Sequence, residues 1–129
     1  MKEEIYDYLI SYGFIENDLE NIKKNNDKVY FATLKNITDN IEFLEDKGLQ
    51  RDDIIKIIRK NPYMITTGTR KKELLDEIYS KIFNKDEMKN FITKHSDAYI
   101  VNPVKLKEQL KNVEKQNLRN FIDEYFIYN

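Results

Sequence analysis

Apolar residues recur along this chain at helical spacing. Ile5, Tyr8, Leu9 and Tyr12 stand at i, i+3, i+4 and i+7, and the theme returns at Leu34, Ile37, Ile41 and Leu44. It returns again at Leu75, Ile78 and Ile82, and at Leu106, Leu110 and Val113. Each set places one apolar stripe on one helix face, which predicts four amphipathic helices. Between them lie shorter apolar sets: Leu19 and Ile22, then Ile54, Ile57 and Ile58, then Met88, Phe91 and Ile92. These predict a second, shorter series of helices. Gly13 and Gly48 can adopt the left-handed conformation that stops the first two long helices. Asn84 with Glu87 has the spacing of a capping box, and Asn102 before Pro103 is a strong helix start. Short helices are joined to the next long ones by "NDKVYFA", "NPYMITT" and "SDAYIVN". Pro62 bars helix continuation, and Tyr63, Met64 and Ile65 are expected to form a buried 3-10 turn.

Sliding the chain against itself shows that these elements form a repeat. Gly13, Asp18, Leu19 and Ile22 meet Gly48, Asp53, Ile54 and Ile57 at a step of 35 residues. Leu49, Asp53, Ile54, Ile57 and Ile58 meet Phe83, Glu87, Met88, Phe91 and Ile92 at a step of 34. A partial fourth copy matches Ile122, Tyr125 and Phe126 to Met88, Phe91 and Ile92. The expected architecture is all-α: a short α-solenoid of about three and a half repeats, each 34–35 residues long, within a single domain spanning 1–129. Each repeat would comprise a long helix, a short helix and a 3-10 turn. Ile57, central in the best-formed short helix, should be buried. The C-terminal "FIDEYFIYN" carries more apolar surface than one helix face buries. It is expected to cap the last repeat, with the remainder docking back or making a weak homodimer contact; otherwise the chain is a monomer.

Composition narrows the function. Charged residues are 35% and hydrophobic ones 40%, a globular balance. Three Gly and two Pro are too few for a sandwich or barrel. There is no cysteine, so disulfides, thiolate catalysis and Cys-based metal sites are excluded. His95 is the only histidine, which leaves no His-based metal cluster. "HSD" at 95–97 is not a triad, because neighbouring side chains at a helix end cannot converge on one atom. His95 aligns instead with Asn61 and Asn26, as a polar helix end. Carboxylate pairs such as Asp52–Asp53 and Glu45–Asp46 read as solvated faces, and Gly68 stands alone without a phosphate loop. We therefore expect no enzyme, no catalytic residues and no cofactor. Most of the nine tyrosines, including Tyr8, Tyr12, Tyr79 and Tyr125, occupy core spacing. No apolar run reaches the roughly 18 residues of a membrane span, and the start "MKEEIYDY" lacks signal character. A cytoplasmic protein without membrane contact is expected.

The net charge of −1 argues against a uniformly basic nucleic-acid binder, so the placement of charge matters more than its sum. Asp18, Asp53 and Glu87 recur in the first turn of each short helix. Lys23 and Lys24, Arg59 and Lys60, and Lys94 recur in the last turn. Helix macrodipoles favour that arrangement. A third column does not fit: Lys35, Arg70 and Lys105 recur at steps of 35 near the starts of long helices, where a cation opposes the dipole. Beside free helix N–H groups they could hold phosphate.

Leu44, Gly48, Leu49, Ile54, Ile57, Ile58, Pro62, Met64 and Ile65 fill a pattern that resembles the repeat of the mitochondrial transcription termination factor (mTERF) family. The likeness is strongest over residues 37–82; in the flanking copies Asp27 and Ser96 stand for the proline and Ile82 for the glycine. Tetratricopeptide and pentatricopeptide repeats have similar periods, but they use small residues at helix contacts, and the alanines here are Ala32 and Ala98. The resemblance implies solenoids of two helices plus a 3-10 turn that bind DNA or RNA along a basic concave face, and a transcription-related role. The residues it points to are Lys35, Arg70 and Lys105, with Lys24, Arg59, Lys60, Lys71 and Lys94. The alternative is a scaffold whose groove takes a protein or peptide partner.

Overall fold

The computed structural model describes residues 1–128, with side chains to residue 127. Its helices are α1 (Glu3–Tyr12), α2 (Glu16–Asn25), α3 (Leu34–Asp46), α4 (Arg51–Lys60), α5 (Thr69–Ser80), α6 (Lys85–Lys94), α7 (Pro103–Leu110) and α8 (Leu118–Tyr128). No strand occurs among the described residues, and the all-α helical-repeat class is as expected. The chain packs as two compact units, Met1–Gly68 and Thr69–Asn129.

Both glycine stops are present. Gly13 has φ 128° and Gly48 φ 87°, values that a side chain disfavours. After each glycine the chain turns back on its helix: the Phe14 amide reaches the Leu9 carbonyl at 3.0 Å, and the Leu49 amide reaches Leu44 at 3.4 Å. Phe14 and Leu49 are thereby driven into the core, which explains why a large apolar residue follows each glycine. A Cβ on Gly13 would also meet the Ile55 side chain at 3.2 Å.

Two expectations need correction. The first helix of a repeat is not uniformly the longer: α1 and α2 both have 10 residues, and α7 has 8 against 11 in α8. The links also differ. Asp27–Tyr30 and Pro62–Thr66 are 3-10 turns, but residues 96–100 form other turns. The physical reason lies at the entry residue. Asn26 accepts the Lys28 amide at 3.1 Å and tightens the first link, and Pro62 sets the second. The third link begins after His95, whose ring faces Asp123 instead and supplies neither device. A further 3-10 turn, Lys115–Asn117, precedes α8 where the first two repeats place glycine.

Unit 1 is built on aliphatic residues. Ile5, Leu9 and Leu19 of the first repeat are fully buried, with Ile37, Ile41, Leu44, Ile54, Met64 and Ile65 of the second. Ile57 is buried as expected, only 2% exposed. Polar staples hold these elements, one between the two repeats and one within the second. The Asn26 amide donates to the Pro62 carbonyl and the Thr66 hydroxyl, both at 3.0 Å, and the Asn40 amide donates to Ile65 at 2.9 Å.

Unit 2 is built on aromatic residues. Tyr79 meets Phe91 edge-on at 4.9 Å and Tyr99 at 5.4 Å, while Phe126 of α8 packs on Phe91 at 5.5 Å and stacks on His95 at 5.3 Å. The buried hydroxyls are satisfied: Tyr79 donates to the Ala98 carbonyl, and Tyr99 to Asp76 at 2.8 Å. Tyr12 and Tyr79 are core residues, while Tyr8 and Tyr125 are half-buried. In the C-terminal helix Ile122 is buried, whereas Ile127 remains exposed.

Candidate nucleic-acid interface

The acidic column proves to be structural. Asp18, Asp53 and Glu87 occupy the third position of α2, α4 and α6. Each carboxylate accepts the amide of the residue preceding its helix: Ile15 at 2.9 Å, Gln50 at 3.3 Å and Asn84 at 3.0 Å. They close the helix starts that the sequence required. Two also bridge to the next repeat. Asp18 accepts a two-pronged bond from Arg59 at 2.6 and 3.1 Å, and Glu87 accepts Arg119. The Arg59 guanidinium holds the Asp18 carboxyl below its ordinary pKa, against the opposing effect of burial.

The eight cations named from the sequence divide in two. Lys35 pairs with Asp39 at 2.7 Å, which raises its pKa, and Arg59 is tied to Asp18. Lys71 donates to the Ile100 carbonyl at 3.0 Å, fastening the third link. Lys94 pairs with Asp123 at 2.8 Å. That carboxylate also accepts His95 at 2.7 Å, and the two partners hold its pKa low. In contrast, Lys24, Lys60, Arg70 and Lys105 are exposed and, among the described residues, carry no side-chain ion pair or hydrogen bond. These four keep their charge available for a ligand.

Lys24 and Arg59 share a polar cleft of about 510 Å³ with Asn17, Asn21 and Glu20 on α2. The Lys35, Arg70 and Lys105 column falls in both units, Lys35 in the first and the other two in the second. Two of its helix starts already use amides internally. Thr33 accepts the Asn36 amide at 3.2 Å, and Asn102 accepts the amides of Val104 and Lys105 at 2.9 and 3.2 Å. Lys35 and Lys105 therefore offer ammonium charge with fewer open amides beside it.

Arg70 lies elsewhere in character, on the rim of a groove of about 570 Å³ between α5 and α7. Leu74 and Ile78 of α5, with Ile82 just beyond its end, line it, as do Val104 and Leu110 of α7 and Val113 beyond that helix. Lys81, Lys107 and Lys115 stand on the rim with Arg70. Sequence reading missed these three lysines, although the repeat alignment carries the signal. A step of 35 back from Leu74, Ile78 and Lys81 leads to Asp39, Phe43 and Asp46, so the corresponding face of α3 is acidic.

Among the described residues no group of three or more His, Asp or Glu side chains is placed to hold a metal ion, and no helix is long and apolar enough to cross a membrane. No curated protein and no solved structure matches the chain significantly. The mTERF family model matches residues 1–122, nearly the whole chain, and mTERF repeats are non-enzymatic and bind nucleic acids. With that match joined to the paired helices, glycine stops and 3-10 turns, this chain belongs to the mTERF family.

Proposed function

We propose that this protein is a non-enzymatic nucleic-acid-binding module that acts in a transcription-related process through phosphate contacts. The observation that carries the reading is the family match across residues 1–122. The four untied cations give it a physical means. Lys24, Lys60, Arg70 and Lys105 contact phosphate without breaking any internal bond. Lys35, paired with Asp39 only at the surface, can exchange that partner for phosphate at little cost. Arg59, Lys71 and Lys94 serve the fold first. Contacts of this kind give affinity and register rather than sequence reading.

The test is a binding titration with single- and double-stranded DNA and RNA at two salt concentrations. Binding that weakens with salt, on every sequence alike, supports the reading. The triple substitution Lys35→Gln, Arg70→Gln and Lys105→Gln should weaken it while leaving thermal unfolding nearly unchanged. Absence of binding to all four at low salt would refute the function and move the weight to a protein scaffold.

A further inference from the structure

The groove between α5 and α7 has the wrong lining for nucleotides and the right one for protein side chains. Its walls are aliphatic, with no aromatic ring among the described residues that line them on which a base could stack. Leu74, Ile78, Ile82, Leu110, Val113 and Leu118 are half-buried, and Val104 is 72% exposed. Such a continuous apolar face within a highly charged protein marks an interaction surface. The rim carries Arg70, Lys81, Lys107 and Lys115 against one acid, Glu77, whose contact with Lys81 at 3.5 Å is loose. The repeat itself does not demand this character, since the equivalent positions on α3 include Asp39, Glu42 and Asp46.

We propose that this groove docks an amphipathic helical segment of a partner protein, with its aliphatic face in the groove and carboxylates against the lysine rim. Helices dock on grooves through residues at i, i+3, i+4 and i+7, and a groove with aliphatic residues on both walls suits that pattern. Charge complementarity selects the acidic member of this class: three rim cations remain after Lys81 is set against Glu77. The proposal stands apart from nucleic-acid binding, which rests on cations in both units, and only Arg70 belongs to both surfaces.

The experiment uses the full chain and a fluorescein-labelled peptide of about 20 residues, with Leu on one helix face and Glu on the other. Fluorescence anisotropy should show binding of this peptide and none of the version with Lys in place of Glu. Val104→Glu and Lys107→Glu change exposed side chains that the core does not use, so thermal unfolding should be unaltered. Each should weaken the acidic peptide by about tenfold or more. Arg70 is left intact, so that nucleic-acid affinity is read separately on the same variants. Equal binding of both peptides, or binding indifferent to Val104→Glu, would overturn the proposal. So would self-association of the parent chain that Val104→Glu abolishes, which would assign the groove to a second copy. Loss of single-stranded RNA binding on Val104→Glu, with peptide affinity unchanged, would assign it to nucleic acid and likewise overturn the proposal.

Discussion

In unit 1 the fully buried residues are almost all isoleucine and leucine, and its elements are stapled by Asn26 and Asn40 to backbone carbonyls. In unit 2 the largest fully buried residues are Tyr79 and Tyr99, and the staples are phenolic hydroxyls and the His95–Asp123–Lys94 cluster. Unit 1 also presents acidic residues on the outer face of α3, whereas unit 2 presents an aliphatic groove rimmed by cations. The same repeat frame thus carries two chemistries. Apolar positions are interchangeable between aliphatic and aromatic residues provided the volume is filled, because burial is non-directional. Polar staples are not interchangeable, since each depends on donor and acceptor geometry. Outer faces are free of both constraints, which is where the units diverge in apolar surface and charge.

The largest effect should come from the core of unit 1. Ile57→Ala is expected to cost about 2–5 kcal/mol in chemical denaturation, whereas Leu74→Ala, half-buried in the groove, should cost about 1 kcal/mol or less. Similar losses at the two positions would erase the contrast between a packed core and an open groove.

The staples come next. Tyr79→Phe removes the only bond the side chain makes to the Ala98 carbonyl, and Asn26→Ala strands the Pro62 carbonyl; each should cost about 1–3 kcal/mol. Isothermal denaturation of both variants decides whether phenol and amide staples are equivalent.

Alkali should separate the units. Burial raises the pKa of Tyr79 and Tyr99 far above the ordinary value of 10.0, and raises Tyr12 in unit 1 to about 12. A buried tyrosine holds its proton more tightly in the fold. Its contribution is complete below pH 10.0 and is lost as pH rises through the folded value. Phenolate absorbance should therefore appear for exposed tyrosines first, and for Tyr79 and Tyr99 only as unit 2 unfolds. Smooth titration of all nine tyrosines near pH 10.0 without unfolding would contradict the aromatic core.

Acid has the smaller effect. Asp18 and Asp123 have depressed pKa values, from Arg59 and from His95 with Lys94 respectively. Their stabilisation is complete above the ordinary value of 3.8 and is lost as pH falls through the lower folded values. Asp18→Asn should flatten the loss of stability below that pH, and an unchanged acid limb would show that the Asp18–Arg59 bridge contributes nothing.

Much of this was readable in the chain. Helical spacing at Ile5, Leu9, Ile37, Ile41 and Leu44 names core residues because burial imposes a period of its own. Gly13, Gly48 and Pro62 are read from backbone sterics alone. The capping acids were placed correctly, yet the bridges from Asp18 to Arg59 and from Glu87 to Arg119 join different repeats, so local spacing could not show them. For the same reason the charge columns did not reveal which cations are tied. Lys71 and Lys94 look like their neighbours in sequence, and only the packing of the third link and of α8 occupies them. The groove was legible in part, through the change from Asp39 and Asp46 to Leu74 and Lys81, once the repeats are laid side by side.

The central claim, that untied cations on an mTERF repeat frame bind nucleic-acid phosphate, is tested most directly by comparing two fourfold variants. One replaces Lys24, Lys60, Arg70 and Lys105 by Gln, and the other replaces Lys35, Arg59, Lys71 and Lys94. The measurement is the dependence of duplex DNA affinity on salt. The first variant should fold like the parent and flatten the slope of log K against log salt by up to about 4 × 0.9. The second should lose stability and change the slope less. Equal slopes for parent and first variant, or a parent that does not bind at low salt, would contradict the account.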